Sequence, residues 1–126
     1  MLDFYLSVAT PIQHAAERLL EHRHAIQRQI LSRIEANSLF LEERIASTAN
    51  CRVLQREGGW YAIVDILDMV SDEVRVMHLL KHDNTLVHPG FFYDFNREGF
   101  VVVSLLPRED IFRSGVSSLI RRYGHK

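Results

Sequence analysis

Cysteine occurs once in this chain of 126 residues, as Cys51. No disulfide framework can therefore form within one chain, and a reduced, intracellular, cytoplasmic setting is the simple reading. Lysine is almost as scarce: only Lys81 and Lys126 stand among 15 basic residues, the rest being arginine. No apolar window approaches the roughly 18 to 20 residues of a membrane-spanning helix. The opening Met1-Leu2-Asp3-Phe4-Tyr5-Leu6 has neither a basic region nor a long apolar core, so a secretory leader is not expected. A formal net charge of −1 leaves no electrostatic footprint for nucleic acid or an anionic membrane. Internal repeats and low-complexity tracts are lacking, and no glycine loop of the phosphate-cradling kind precedes a helix.

What is present is an ordinary globular composition, 47% hydrophobic and 25% charged. A chain of this length builds one core and not two. Thr10-Pro11-Ile12-Gln13 reads as a helix start, with Thr10 as cap, Pro11 in the first turn and Gln13 completing a capping box. Residues 1–9 before it read as extended. The first helix is expected to reach about Glu21, with a break at His22-Arg23-His24. A longer helix is expected from about Ala25 to Ala46, because Ile26, Ile30, Ile34, Leu41 and Ile45 fall on one stripe. Its length, roughly 30 Å, exceeds what so small a core can cover, so it reads as a strut.

The rest alternates. A short strand is expected over Arg52–Gln55, followed by the Gly58-Gly59 corner and a strand from Trp60 to about Ile66. A helix capped by Ser71 or Asp72 follows, with Val74, Met77 and Leu80 expected inward, and then a turn at Asp83-Asn84. Next come a short strand over Thr85–Val87, an aromatic loop Phe91–Phe95 and a second central strand from Phe100 to Leu106. A last helix, opened by Pro107, carries Ile111, Phe112, Val116, Leu119, Ile120 and Tyr123 as its expected buried stripe. The fold class is therefore α+β: a small, mostly antiparallel sheet with helices packed on it, preceded by a helix and a long connecting helix.

Composition and spacing give few chemical leads. His78 and His82 share a helix face at i, i+4, but no glutamate follows the first as in the zinc motif and no third ligand is evident. A structural or solvent-facing role is favoured, and no metal site is expected. Cys51 reads either as a nucleophile or, more simply, as a small buried hydrophobe. Ser104 lies in an apolar strand without a nucleophile elbow. Glu57, beside the glycine corner, either bonds turn amides or acts as a catalytic acid.

Four segments together resemble the C-terminal part of fold-type-I, pyridoxal-phosphate-dependent aminotransferases of class I/II. They are Tyr5-Leu6-Ser7-Val8-Ala9-Thr10-Pro11-Ile12-Gln13, Glu57-Gly58-Gly59-Trp60-Tyr61, Val87-His88-Pro89-Gly90-Phe91-Phe92 and Val102-Val103-Ser104-Leu105-Leu106. They stand in the family's order and cover almost the whole chain. The resemblance implies that residues 1–22 are the tail of the large cofactor domain, 23–48 the connecting helix and 49–126 the small domain. It implies that Gly59 and Trp60 look toward the substrate entrance and that Pro89, Gly90 and Phe91 line the substrate side. Ser7 and Thr10 would lie near the partner subunit's cofactor phosphate in the usual homo-oligomer.

The departures are equally specific. Family members bind pyridoxal phosphate through a lysine Schiff base, and that lysine lies upstream of everything this chain resembles. Lys81 and Lys126 do not match it, so no covalently bound cofactor and no independent transaminase activity are expected. Val102 stands where many relatives have an arginine that clamps the substrate carboxylate. Either that carboxylate is held elsewhere or the substrate is not an ordinary α-amino acid. The expected function is thus that of a C-terminal fragment of an enzyme moving an amino group between an amino acid and a 2-oxo acid. The competing expectation is a non-enzymatic module that oligomerises through the long-helix stripe.

Overall fold

The computed structural model describes residues 8–125. Ser7, most of the segment expected to be extended and Lys126 lie outside them. The chain divides into two compact units, one up to Leu31 and one from Ser32 onward.

The first unit holds helix α1, Thr10–Glu21, and the beginning of α2, Arg23–Ala46. Thr10 is not the cap that its sequence context predicts. Ala9 takes that position without a side-chain bond, and the Gln13 Nε2 instead donates to the Val8 carbonyl at 2.6 Å. The break falls at His22, whose N–H returns to the Leu19 carbonyl. No residue of α1 is buried, and Ile12, Leu19, Leu20, Ile26 and Ile30 are all exposed.

In the second unit the remainder of α2 buries Asn37, Ser38, Leu41 and Ile45, a three-and-four spacing that fits one helix face. The sheet has four strands: β1 (Cys51–Val53), β2 (Tyr61–Ile66), β3 (His88–Pro89) and β4 (Phe100–Ser104). Their order is β1-β2-β4-β3 and every pairing is antiparallel. Strands β2 and β4 are central, as their apolar runs predict. Their register pairs Tyr61 with Ser104, Ile63 with Val102 and Asp65 with Phe100.

Alternation along a strand then sorts the two faces. Ala62, Val64, Ile66, Val101 and Val103 share the core with Leu41 and Ile45 of α2. Leu79 of α3 (Asp72–Asp83) and Phe112, Val116, Leu119, Ile120 and Tyr123 of α4 (Glu109–Tyr123) complete it. Each such aliphatic side chain contributes roughly 1.5–3 kcal/mol on burial. Tyr61, Ile63, Asp65, Val102 and Ser104 point to the other face.

Three expectations need correction. Residues Thr85–Val87 form no strand; the edge strand is His88–Pro89, where a proline is tolerated because one side of an edge needs no donor. Val74, Met77 and Leu80 are exposed, while Asp72, Arg75 and Leu79 are the buried residues of α3. The inward face of that helix carries a buried ion pair, Asp72–Arg75, described below. Ile111 is also exposed; it lines an open cleft of about 440 Å³ together with Leu86, Val103, Phe112 and Gly115. Gly115 is closely packed, since a Cβ there would meet the Thr85 methyl at 3.3 Å.

Candidate functional site: an exposed aromatic face

The Gly58-Gly59 corner sets Trp60 and Tyr61 at the head of β2. Gly59 has φ +82°, which L side chains rarely adopt, whereas a Cβ on either glycine would meet nothing within 4 Å. The corner is therefore a matter of backbone conformation, not of space. The Trp60 carbonyl accepts from the Leu105 N–H at 2.7 Å, which continues the β2–β4 pairing past Tyr61. Trp60 is left 51% exposed.

A short 3₁₀ helix, Gly90–Tyr93, brings the second group of rings alongside. Tyr61 lies 6.3 Å from His88 and 6.4 Å from Tyr93, centroid to centroid. His88 stacks on Tyr93 at 6.2 Å, and its Nδ1 lies 2.9 Å from the Tyr93 hydroxyl. Phe92 continues from His88 at 6.2 Å, and Phe91 meets Phe92 edge-on at 5.0 Å. The structure thus joins Trp60 to Phe91 through Tyr61, His88, Tyr93 and Phe92. Trp60, Tyr61, Phe91, Phe92 and Tyr93 are all exposed, a contiguous aromatic surface of the kind that marks a binding face.

The 3₁₀ helix is held from beneath by one carboxylate. Asp72, only 1% exposed at the start of α3, accepts from the Gly90 N–H at 3.1 Å and from the Gly99 N–H at 2.8 Å. It also pairs with Arg75 at 2.7 Å, and Arg75 in turn binds Asp68 and the Val70 carbonyl. Arg75 is fully buried, so this pairing offsets its desolvation. Gly90 has no room for a side chain: a Cβ would lie 2.6 Å from the Phe100 Cβ and 2.9 Å from Asp72 Oδ2. Pro89 and Gly90 are buried, and Phe91 is the exposed member of that segment.

The other candidates are placed elsewhere. Thr10 is exposed in the first unit, and Ser7 lies outside the described residues. His78 and His82 face each other at 5.8 Å on α3, and among the described residues no three His, Cys, Asp or Glu are grouped to hold a metal ion. Cys51 is buried with its Sγ 3.6 Å from the Tyr123 carbonyl, and burial raises its thiol pKa. The Ser104 hydroxyl accepts from the Leu106 N–H at 3.3 Å, a local bond. Glu57 is exposed at the corner. His88 and Asp72 were missed as site-building residues by periodicity, although the Val87–Phe92 segment drew attention to their neighbourhood.

No family model and no curated protein matches the sequence. Solved structures do match the fold. A pyridoxal-phosphate-dependent aminotransferase from Streptococcus suis superimposes with a TM-score of 0.81 at 19% identity, over 96% of this chain and 33% of that one. Its fold is that of one part of an aminotransferase. YbdL from Escherichia coli, with a methionine aminotransferase function, matches at 0.68 and 17% identity over 94% of this chain and 32% of its own. LysN, the α-aminoadipate aminotransferase of Thermus thermophilus, matches at 0.67 and 20% identity over 86% and 28%. The chain spans about a third of the length of these structures.

The only lysine among the described residues is Lys81, exposed on α3, whose Leu79 packs into the core on the sheet face opposite Tyr61. The aromatic face supplies ring surface and the His88–Tyr93 pair, but no amine for a Schiff base.

Proposed function

We propose that this chain is the C-terminal part of a pyridoxal-phosphate-dependent aminotransferase, comprising the connecting helix and the small domain, and that its aromatic face is one wall of a substrate site. The observation that carries this reading is the overlap of 96% of the chain with one third of an aminotransferase. In this reading Gly59 and Trp60 border the substrate entrance. Phe91 presents its ring, and the buried Pro89 and Gly90 set where that ring stands. Ser7 and Thr10 approach the cofactor phosphate of a partner subunit. The parent enzyme moves an amino group between an amino acid and a 2-oxo acid, in the cytoplasm, as a homo-oligomer. The lysine that carries the cofactor belongs to a different stretch of polypeptide. The chain alone, mixed with pyridoxal phosphate, amino acid and 2-oxo acid, is expected to give no turnover and no borohydride-fixed cofactor. Turnover accompanied by a visible-range absorbance that borohydride abolishes would overturn this.

A second reading rests on what is left of the long-helix stripe: Leu41 and Ile45 are buried in the core and Ile34 packs against it, but Ile26 and Ile30 are exposed, as are Ile12, Leu19, Leu20 and Leu31 of the first unit. Such a surface drives self-association, as in a non-enzymatic oligomerising module. A clean monomer in sedimentation at high protein concentration would remove it.

A further inference from the structure

The face of the sheet that carries Tyr61 bears a second cluster four residues further along β2. Asp65 is 0% exposed there, and two arginines from separate elements converge on it. Arg52 of β1 donates from Nε at 2.8 Å and from Nη2 at 2.7 Å, and Arg97, from the loop before β4, donates from Nη2 at 2.7 Å. All of these bonds end on one oxygen, Oδ2, while Asp65 Oδ1 is buried without a partner among the described residues.

That geometry is not what charge compensation alone requires. One guanidinium suffices to neutralise one carboxylate. Here two crowd a single oxygen, the second brings an excess positive charge, and Oδ1 is left bare. Arg97 is further fixed by lying 4.2 Å over the Phe100 ring, which Phe95 stacks against at 4.4 Å. Its Nη1 is anchored on the Glu98 carbonyl, and the Glu98 carboxylate is itself engaged by the Asp72 N–H. Each guanidinium retains N–H donors that these bonds do not use. Both side chains remain open to solvent, at 62% for Arg52 and 44% for Arg97.

We propose that Arg52 and Arg97 form a carboxylate-binding site, preorganised by Asp65 and separate from the aromatic cluster. The spacing along β2 puts it roughly 13 Å from Tyr61, too far for one small substrate to span. The planar guanidinium fork matches the two oxygens of a carboxylate. The carboxylate comes either from a small organic acid or from an acidic side chain of a polypeptide lying on this face. The site stands on these side chains and does not depend on the aminotransferase reading.

The test uses the intact chain and the side-chain Nε–H NMR signals of Arg52 and Arg97. Acetate and a triglutamate peptide are titrated separately at constant ionic strength, with chloride as the control. Saturable shifts of both signals are expected, with half-effect on the order of 10 mM for acetate. Response to acetate assigns a small organic acid as sufficient; response to the peptide alone assigns a polypeptide carboxylate. Arg97→Ala should weaken the response about tenfold, and Arg97→Lys, which keeps the charge but loses the fork, at least threefold, as expected for bidentate recognition. Shifts no larger than those with chloride, or an Arg97→Lys variant that binds as well as the original, would overturn the proposal.

Discussion

Replacing Gly90 by alanine offers a sharp check on how the aromatic face is held. The added methyl would stand 2.6 Å from the Phe100 Cβ, 2.9 Å from Asp72 Oδ2 and 3.2 Å from the Phe100 carbonyl. The Phe100 Cβ and carbonyl cannot yield without the β4 backbone, and the Asp72 carboxylate is held by its bonds to Gly99 and Arg75, so backbone must move. Overpacking of this kind costs about 1–3 kcal/mol. Displacing the 3.1 Å bond from the Gly90 N–H to the buried Asp72 carboxylate adds about 1.5–3 kcal/mol if it is lost outright. Relief of one strain relaxes the other, so we expect a total of about 2–4 kcal/mol. At roughly 4 °C per kcal/mol for a chain of this size, Tm should fall by roughly 10 °C. Urea unfolding followed by far-ultraviolet circular dichroism measures it directly. Gly58→Ala is the matched control: its Cβ meets nothing within 4 Å and its backbone is not in the left-handed region. It should change stability by less than about 1 kcal/mol, in the stabilising direction. Equal midpoints for the two variants would refute the close-approach account of Gly90.

Further outcomes follow from the same structure. Asp72→Ala leaves the fully buried Arg75 without its most deeply buried partner and should cost about 3–5 kcal/mol in urea unfolding; a loss under about 1 kcal/mol would show that Asp68 alone suffices. Burial raises the thiol pKa of Cys51 above its ordinary 9.0 and the phenol pKa of Tyr123 above 10.0. Because both folded values exceed the unfolded ones, their contribution is complete below pH 9 and is lost as pH rises through the folded values. Stability measured between pH 8 and 11 should therefore fall with rising pH, and Cys51→Ala should flatten the first part of that fall. Asp83 is held below the ordinary carboxylate range by its hydrogen bond from Arg122 and then by that from Arg121. Its contribution is present above pH 4 and is lost as pH falls through the lowered value, so Arg122→Ala should reduce the acid sensitivity of unfolding.

The central strands were legible because β2 and β4 are apolar runs bounded by glycine and proline, and their pairing needs nothing more. The second half of α2 was legible from its helical spacing: Leu41 and Ile45, four apart, mark its buried face. The orientation of α3 was not. Val74, Met77 and Leu80 make a plausible apolar stripe, yet the residues turned inward are Asp72, Arg75 and Leu79. What decides between these orientations is a set of bonds to Gly90, Gly99 and Val70, and no periodicity encodes partners so distant in sequence. The aromatic face was half legible. Gly-Gly-Trp-Tyr and Pro-Gly-Phe-Phe each stood out, but that Tyr61 and His88 would join them required the strand register. The Arg52–Asp65–Arg97 cluster left no sequence signal, since its members are 13 and 32 residues apart from the shared aspartate.

The Asp72 carboxylate also bears on how the second unit assembles and opens. It binds amides at positions 90 and 99, so the first turn of α3, the entry to the 3₁₀ helix and the approach to β4 close onto one another in a single step. Loop amides ordinarily exchange their hydrogens through small local openings. Those of Gly90 and Gly99 are instead held by a buried carboxylate, which loses a donor when either amide is freed. They should exchange with deuterium as slowly as the amides of β2. Slow exchange there would mark the aromatic surface above them as a platform that is released together with the sheet.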